Sequence, residues 1–213
     1  FINIVLWIIY VWISVKTFIE ISRTKSYQNV HGILLLTTVS TQSIVLLLNT
    51  VFKEFPDIFN LSLLIIGFCF YLFCVFFILS RYIKNSWSIE MDWNNTNCIL
   101  HGALSISGIA CLVTGIISFD IIRMIWRAAL IIFIAVEAIE LYRLFRRINH
   151  YGFREAIFIY DVTQWSRVFT FAMFYTFTAL IHTHLFIGSF VIDTILKVGV
   201  WVVIILLMIE VIL

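Results

Sequence analysis

The sequence predicts an all-α, polytopic membrane protein with about seven transmembrane helices. Of the 213 residues, 62% are hydrophobic and 12% are charged, and the mean hydropathy is +1.07. A soluble globule of this size has too little interior to bury so much apolar surface, so the composition excludes a soluble domain. The chain also contains seven apolar stretches of the length that crosses hydrocarbon, roughly 20 residues at about 1.5 Å each.

Each apolar stretch accounts for one predicted helix of a single transmembrane domain over 1–213. The predicted helices are 1–19, 31–52, 61–84, 98–118, 121–145, 165–190 and 191–213. The chain starts at Phe1 in an apolar stretch without a basic leader, which argues against a signal peptide. With the apolar end at Leu213, this start predicts an N-terminally incomplete copy of a longer protein.

Small and polar residues are concentrated in every second stretch, namely 31–52, 98–118 and 165–190. The neighbouring stretches are rich in Ile, Leu, Phe and Val. Because hydrogen-bonding side chains are costly in hydrocarbon, this alternation predicts an inner ring of polar helices shielded from lipid by outer apolar helices. Such an inner ring can surround a path through the membrane.

Basic residues predict the orientation in a cell membrane. If the first, third and fifth loops are cytoplasmic, ten of the 14 Lys and Arg residues lie on that side, as the positive-inside rule requires. These ten are Lys16, Arg23, Lys25, Arg81, Lys84, Arg143, Arg146, Arg147, Arg154 and Arg167. The basic stretch 143–154 is thus interpreted as a topology anchor rather than a nucleic-acid site.

The second and fourth predicted helices contain candidate pore-lining residues. Thr37, Ser40 and Thr41 share one helix face, and so do His101, Ser105 and Gly108, with Gly102 beside them. These residues either line a water-filled path or serve close helix packing through intrahelical hydroxyl bonds and small side chains. His101 is either a proton carrier or a structural residue.

The sixth predicted helix begins with a polar, charged segment and then becomes aromatic. Trp165, Phe169 and Thr176 lie on one stripe of it. A bulky apolar ring in a narrow pore blocks hydrated ions until it rotates, although most of the 21 Phe residues must serve packing.

Three segments give the chain a family resemblance. They are 32–43 (GILLLTTVSTQS), 97–106 (NCILHGALSI) and 160–169 (YDVTQWSRVF). In their order and spacing they resemble the tellurite-resistance/dicarboxylate transporter family, which includes the plant guard-cell slow anion channels. The resemblance implies ten helices in five hairpins, with the odd-numbered helices around a central pore, and this chain would cover roughly the fourth to the tenth.

The resemblance also implies a function and a gate. The family blocks its pore with a Phe four residues after a Trp, which corresponds to Phe169 after Trp165. It implies an anion channel or proton-coupled transporter for small inorganic anions or dicarboxylates, and a homotrimer. The segment 170–173 (TFAM) departs from the Pro-Leu-Gly-Met of many relatives. Arg167 at the cytoplasmic mouth either attracts anions or extends to lipid phosphates.

Two other classes of function stay open at the sequence level. One is a non-transporting scaffold or subunit of a larger membrane complex. The other is an intramembrane enzyme, whose candidate groups are Glu137, Glu140, His101 and His182 or His184. No metal-ligand or nucleophile motif accompanies them, so we expect no metal, no cofactor and no catalysis. Glu140 with Arg143 or Arg147 is more simply a helix-face ion pair.

Overall fold

The computed structural model describes residues 2–28, 30–52, 55–84, 87–89, 92–153, 161–185 and 189–212, which form seven α-helices. They are α1 (Ile2–Thr24), α2 (Leu36–Val51), α3 (Asp57–Lys84), α4 (Ile99–Thr114), α5 (Phe119–Tyr151), α6 (Trp165–Leu185) and α7 (Phe190–Ile212). The all-α class and the order of seven helices are confirmed. The predicted junction at 190–191 is wrong, because α6 ends at Leu185 and α7 begins at Phe190.

Five helices of the described chain are long and apolar enough to cross a membrane. They are α1, α3 and α7, together with α2 and α4 when each is taken with the short turn that precedes it. The two others predicted to span, α5 and α6, fall outside this group. The α5 helix is 33 residues long and carries charged residues at both ends and in its middle.

The helices pack as three hairpins, each made of one polar-rich and one neighbouring helix. The pairs are α2 with α3, α4 with α5, and α6 with α7, while α2 and α6 pack on either side of α4. The α1 helix packs against α2, and its Phe18 ring contacts Phe70 and Phe77 of α3. Burial follows this arrangement: 83% of the residues in the membrane-length segment of α4 are buried, against 6% of those in the segments of α1 and α7. The three polar-rich helices thus lie side by side with α4 in the middle, and we call this row of helices the inner arc.

A short 3₁₀ turn immediately precedes each helix of the inner arc. The turns are Gly32–Leu35, Asn95–Cys98 and Val162–Gln164, and neighbouring turns are in contact. Side-chain oxygens of Asn94 and Asp161 cap the second and third turns by accepting hydrogen bonds from the backbone N–H groups of Thr96 and Thr163. We call this end of the bundle the turn end.

The first two turns are joined closely through Gly32. Its N–H donates to the Asn97 side-chain oxygen at 3.2 Å, and a Cβ at this position would overlap the carbonyl of Thr96. The Asn97 amide donates in turn to the Tyr82 hydroxyl at 2.7 Å. Only glycine permits this approach of two backbones, so this contact fixes α2 beside α4 at the turn end.

Arg81, near the end of α3, holds the segment that precedes α2 in place through hydrogen bonds. Its guanidinium is buried and donates to the carbonyls of Val30 (2.7 Å) and Asp92 (3.0 Å) and to Nδ1 of His31. Burial and the adjacent Arg81 charge lower the pKa of His31 from its usual 6.5, while Asp92 opposes them more weakly. His31 therefore acts here as a neutral acceptor.

We expect acidification through the normal histidine range to destabilise the turn end. Since the folded-state pKa of His31 lies below the unfolded value, the unfolded chain binds more protons, and stability falls as the pH drops below 6.5. Thermal unfolding of the detergent-solubilised protein between about pH 7.5 and 5.5 measures this, a window above the normal range of Asp and Glu. His31→Gln keeps an acceptor but does not titrate, so its curve should be flatter. An equally steep fall in this variant would contradict the prediction.

Candidate functional site

The predicted gate residue lies on the open face of α6. Trp165 and Phe169 are 39% and 42% exposed, and Thr176 on the same stripe is also exposed. The opposite side of α6 is buried against α4 and α5, where Phe174 and Phe177 are 3% and 0% exposed. The described structure therefore brings the three stripe residues together on one uncovered surface, as their spacing predicted.

The hydroxyls of α2 are mostly used inside the protein. Thr37 donates to the Leu34 carbonyl at 2.7 Å, and Thr41 donates to the Thr37 carbonyl at 2.7 Å and accepts from the Trp7 indole at 3.1 Å. Ser40 also bonds the Thr37 carbonyl, but it lines a groove of about 470 Å³ between α1 and α2. Of the three predicted pore-lining residues in α2, Ser40 is the one that lines an open groove.

The candidates in α4 lie in packing seams. His101, Gly102, Ser105 and Gly108 are all buried, and the Ser105 hydroxyl donates to the His101 carbonyl at 2.8 Å. A Cβ at Gly102 would overlap the Thr170 side chain, and one at Gly108 would overlap the Phe177 ring. Both glycines therefore allow α6 to approach α4, which is the packing alternative. A pore-lining role for these four residues stays a prediction.

His101 is enclosed by aromatic rings. Its imidazole is 0% exposed, meets the ring of Phe133 edge-on at 4.9 Å between centroids, and also contacts Phe171 and Phe174. Neither ring nitrogen has a hydrogen-bond partner among the described residues. The surroundings are those of a packed aromatic core between α4, α5 and α6.

The candidate pore-lining residues of α2 and the residues Trp165, Phe169 and Thr176 of α6 lie on different sides of α4. The groove beside Ser40 is lined by residues of α1 and α2 alone. Thr37 contacts Cys74 of α3 at 3.6 Å, whereas Ser105 and Phe169 lie on α4 and α6. The structure places all ten predicted pore and gate residues on the inner arc and does not bring them to one described cavity.

Sequence reasoning missed a polar network at the turn end. The Asn95 amide donates to Thr163 (3.1 Å) and Asp161 (3.3 Å), and its oxygen accepts from Arg143 of α5 at 2.8 Å. These bonds join the second and third turns to α5. The sequence signal was limited to polar residues before each inner helix, since contacts 48 to 68 residues apart cannot be inferred from local spacing.

Two buried acid–base pairs complete this network. Glu140 accepts from the Trp93 indole at 2.8 Å and lies 3.7 Å from Arg143, which confirms the predicted helix-face ion pair. Arg167 pairs with Glu137 of α5. Neither of the two roles expected for Arg167 included this partner; its guanidinium is largely enclosed, with the side chain 25% exposed.

A chamber of about 200 Å³ lies beside these pairs. Its polar wall is formed by Asn95, Glu140, Arg143, Arg147, Gln164, Arg167 and Glu210, and we call it the end chamber. Leu144, Leu206 and Ile209 contribute apolar wall. The chamber therefore combines charges of both signs with an apolar side that is formed mainly by α7.

The residues considered for an intramembrane enzyme do not converge. Glu137 and Glu140 pair with arginines at the turn end, His101 lies in its aromatic enclosure, and His182 is 3.9 Å from Asp193 at the opposite end of α6. The side chain of His184 lies outside the described residues. No group of three or more His, Cys, Asp or Glu side chains able to hold a metal occurs in the described ranges.

Comparison with known proteins identifies no relative: no family model, no curated protein and no solved structure matches this chain. The resemblance to the tellurite-resistance/dicarboxylate transporter family stays a prediction from the three sequence segments.

Proposed function

We propose that this chain forms part of the wall of a membrane pathway for small anions, with Phe169 as its barrier. The observation that carries the proposal is the uncovered stripe of Trp165, Phe169 and Thr176 on a helix of the inner arc. On a polar-rich helix that packs against α4, a hydroxyl and two large rings on one face fit the wall of a narrow lumen. Closure into a ring, with further helices or copies of the chain in a trimer, belongs to the proposal.

Charge at the turn end supports selection of anions. The three inner helices begin there, so their N-terminal dipole ends lie side by side through the contacting turns. Arg143, Arg147 and Arg167 lie at the same end, although Glu137 and Glu140 compensate part of their charge. Weak, distributed attraction of this kind favours entry of an anion without trapping it.

The packing of α4 limits which residues we place in the pathway. Gly102 and Gly108 seat α6 against α4, and His101 and Ser105 are enclosed. We assign the barrier to Phe169, the adjacent wall to Trp165 and Thr176, and the mouth to the arginines. Ser40 stands at a second open surface, between α1 and α2.

Anion flux in proteoliposomes tests the proposal. The protein should move chloride, nitrate, sulfite or a four-carbon dicarboxylate down its gradient faster than empty liposomes and faster than it moves potassium. Repeating the measurement with an imposed proton gradient distinguishes a channel from a proton-coupled carrier. Absence of flux for every anion, in protein shown to be folded, would favour the scaffold alternative.

A further inference from the structure

Two charged side chains that line the end chamber have no partner among the ion pairs of the described turn end. Glu137 pairs with Arg167 and Glu140 with Arg143, while Arg147 and Glu210 form no ion pair in the described part of the chain. Arg147 and Glu210 line the same chamber and are not joined to each other. One unpaired cation and one unpaired anion therefore face a common space.

Three buried polar atoms around this space lack hydrogen-bond partners, and one of them belongs to Glu210 itself. Nε of Arg143, Nε of Arg167 and Oε2 of Glu210 are buried without a hydrogen bond among the described residues. Glu210 is only 6% exposed, although α7 is otherwise mostly uncovered. Burying a polar group without a partner is costly, so the set calls for a ligand with acceptor oxygens for two guanidinium groups and an N–H or O–H donor for the carboxylate.

The apolar side of the chamber indicates where this ligand comes from. Leu206 and Ile209 of α7 line the chamber, and Ile209, Leu207 and Met208 are 40%, 41% and 53% exposed on the surface beside it. The last turn of an apolar, membrane-length helix is the level at which lipid headgroups meet acyl chains. A lipid can reach the chamber from this side with its tails against α7.

We propose that the end chamber binds the headgroup of a phosphatidylethanolamine. The phosphate accepts hydrogen bonds from Arg143, Arg147 and Arg167, and the primary ammonium donates to Glu210. Phosphatidylcholine lacks the N–H donors that the carboxylate needs, and phosphatidylglycerol lacks the positive charge. The inference does not depend on the proposed transport function: a bound phosphate occupies the arginines that the transport proposal assigns to the mouth, so the two proposals compete for these side chains and are tested separately.

The test compares lipids around the purified, unsubstituted protein. In phosphatidylcholine nanodiscs, adding phosphatidylethanolamine should raise the midpoint of thermal unfolding by about 3 °C, and adding phosphatidylglycerol should raise it less. Native mass spectrometry should show a retained phosphatidylethanolamine. Soluble phosphoethanolamine added to phosphatidylcholine discs should not reproduce the shift, since it lacks the tails that contact α7.

Variants assign the effect to the chamber. Glu210→Gln should abolish the preference for phosphatidylethanolamine over phosphatidylcholine, and Arg147→Gln should reduce lipid retention. Glu20→Gln, at an exposed carboxylate of α1, is the matched control and should retain the preference. Equal stabilisation of the unsubstituted protein by both lipids, an equal shift with soluble phosphoethanolamine, or a preference that survives in Glu210→Gln would overturn the proposal. If Glu210→Gln does not fold, unchanged lipid retention by Arg147→Gln overturns it.

Discussion

Phe169→Ala is expected to increase anion flux about tenfold or more, which corresponds to a barrier lowered by at least about 1.4 kcal/mol. The ring is 42% exposed on the uncovered face of α6, so its removal opens space without emptying the packed seam with α4. Flux or single-channel conductance in proteoliposomes measures the change. Thermal stability should change little, because few buried contacts are lost.

A matched control separates gating from a general effect of losing an aromatic ring. Phe73 on α3 is 58% exposed and lies on an outer helix, so Phe73→Ala should leave flux unchanged. Phe169→Trp keeps a bulky ring and should stay as closed as the unsubstituted protein. Equal flux in Phe169→Ala and Phe73→Ala would refute the assignment of the barrier.

Breaking the Glu137–Arg167 pair is expected to cost about 3 kcal/mol of folding stability when one partner is neutralised. The side chains are 14% and 25% exposed and join α5 to the first turn of α6. Glu137→Gln leaves the Arg167 guanidinium enclosed without its counter-charge, and Arg167→Gln does the same to the carboxylate. Reversible unfolding in detergent measures both losses.

The double variant distinguishes a paired interaction from two independent ones. Glu137→Gln with Arg167→Gln should be less destabilised than the sum of the single variants, because no unpaired charge is left behind. Asp120→Asn is a suitable control, since Asp120 forms an exposed pair with Arg123 on the same helix and should change stability by less than about 1 kcal/mol. Additive losses in the double variant would contradict a direct coupling.

The helices and their order could be predicted because hydrophobic length is a local property. Each of the seven apolar stretches became one helix, and the polar-rich stretches 31–52, 98–118 and 165–190 became three helices that pack side by side. The spacing of Trp165, Phe169 and Thr176 also placed them correctly on one helix face. Periodicity within one helix carries this information.

The surroundings of each helix face could not be predicted in the same way. His101, Ser105 and Gly108 share a face by spacing, but only packing showed that this face meets α5 and α6. Arg167 gave no local sign of its partner, because Glu137 lies 30 residues earlier on another helix. The same holds for Glu210, which reaches the end chamber only because α7 packs against α6.

The sequence by itself determined that this is an all-α chain with membrane-length apolar helices, and which of its helices carry polar side chains. Hydrocarbon solvation makes these features depend on composition and local period alone. The tertiary structure decided that α4 is the buried centre, that the glycines of α4 seat α6, and that buried charges collect at the turn end. These outcomes depend on which surfaces meet, and close packing joins residues far apart in the chain.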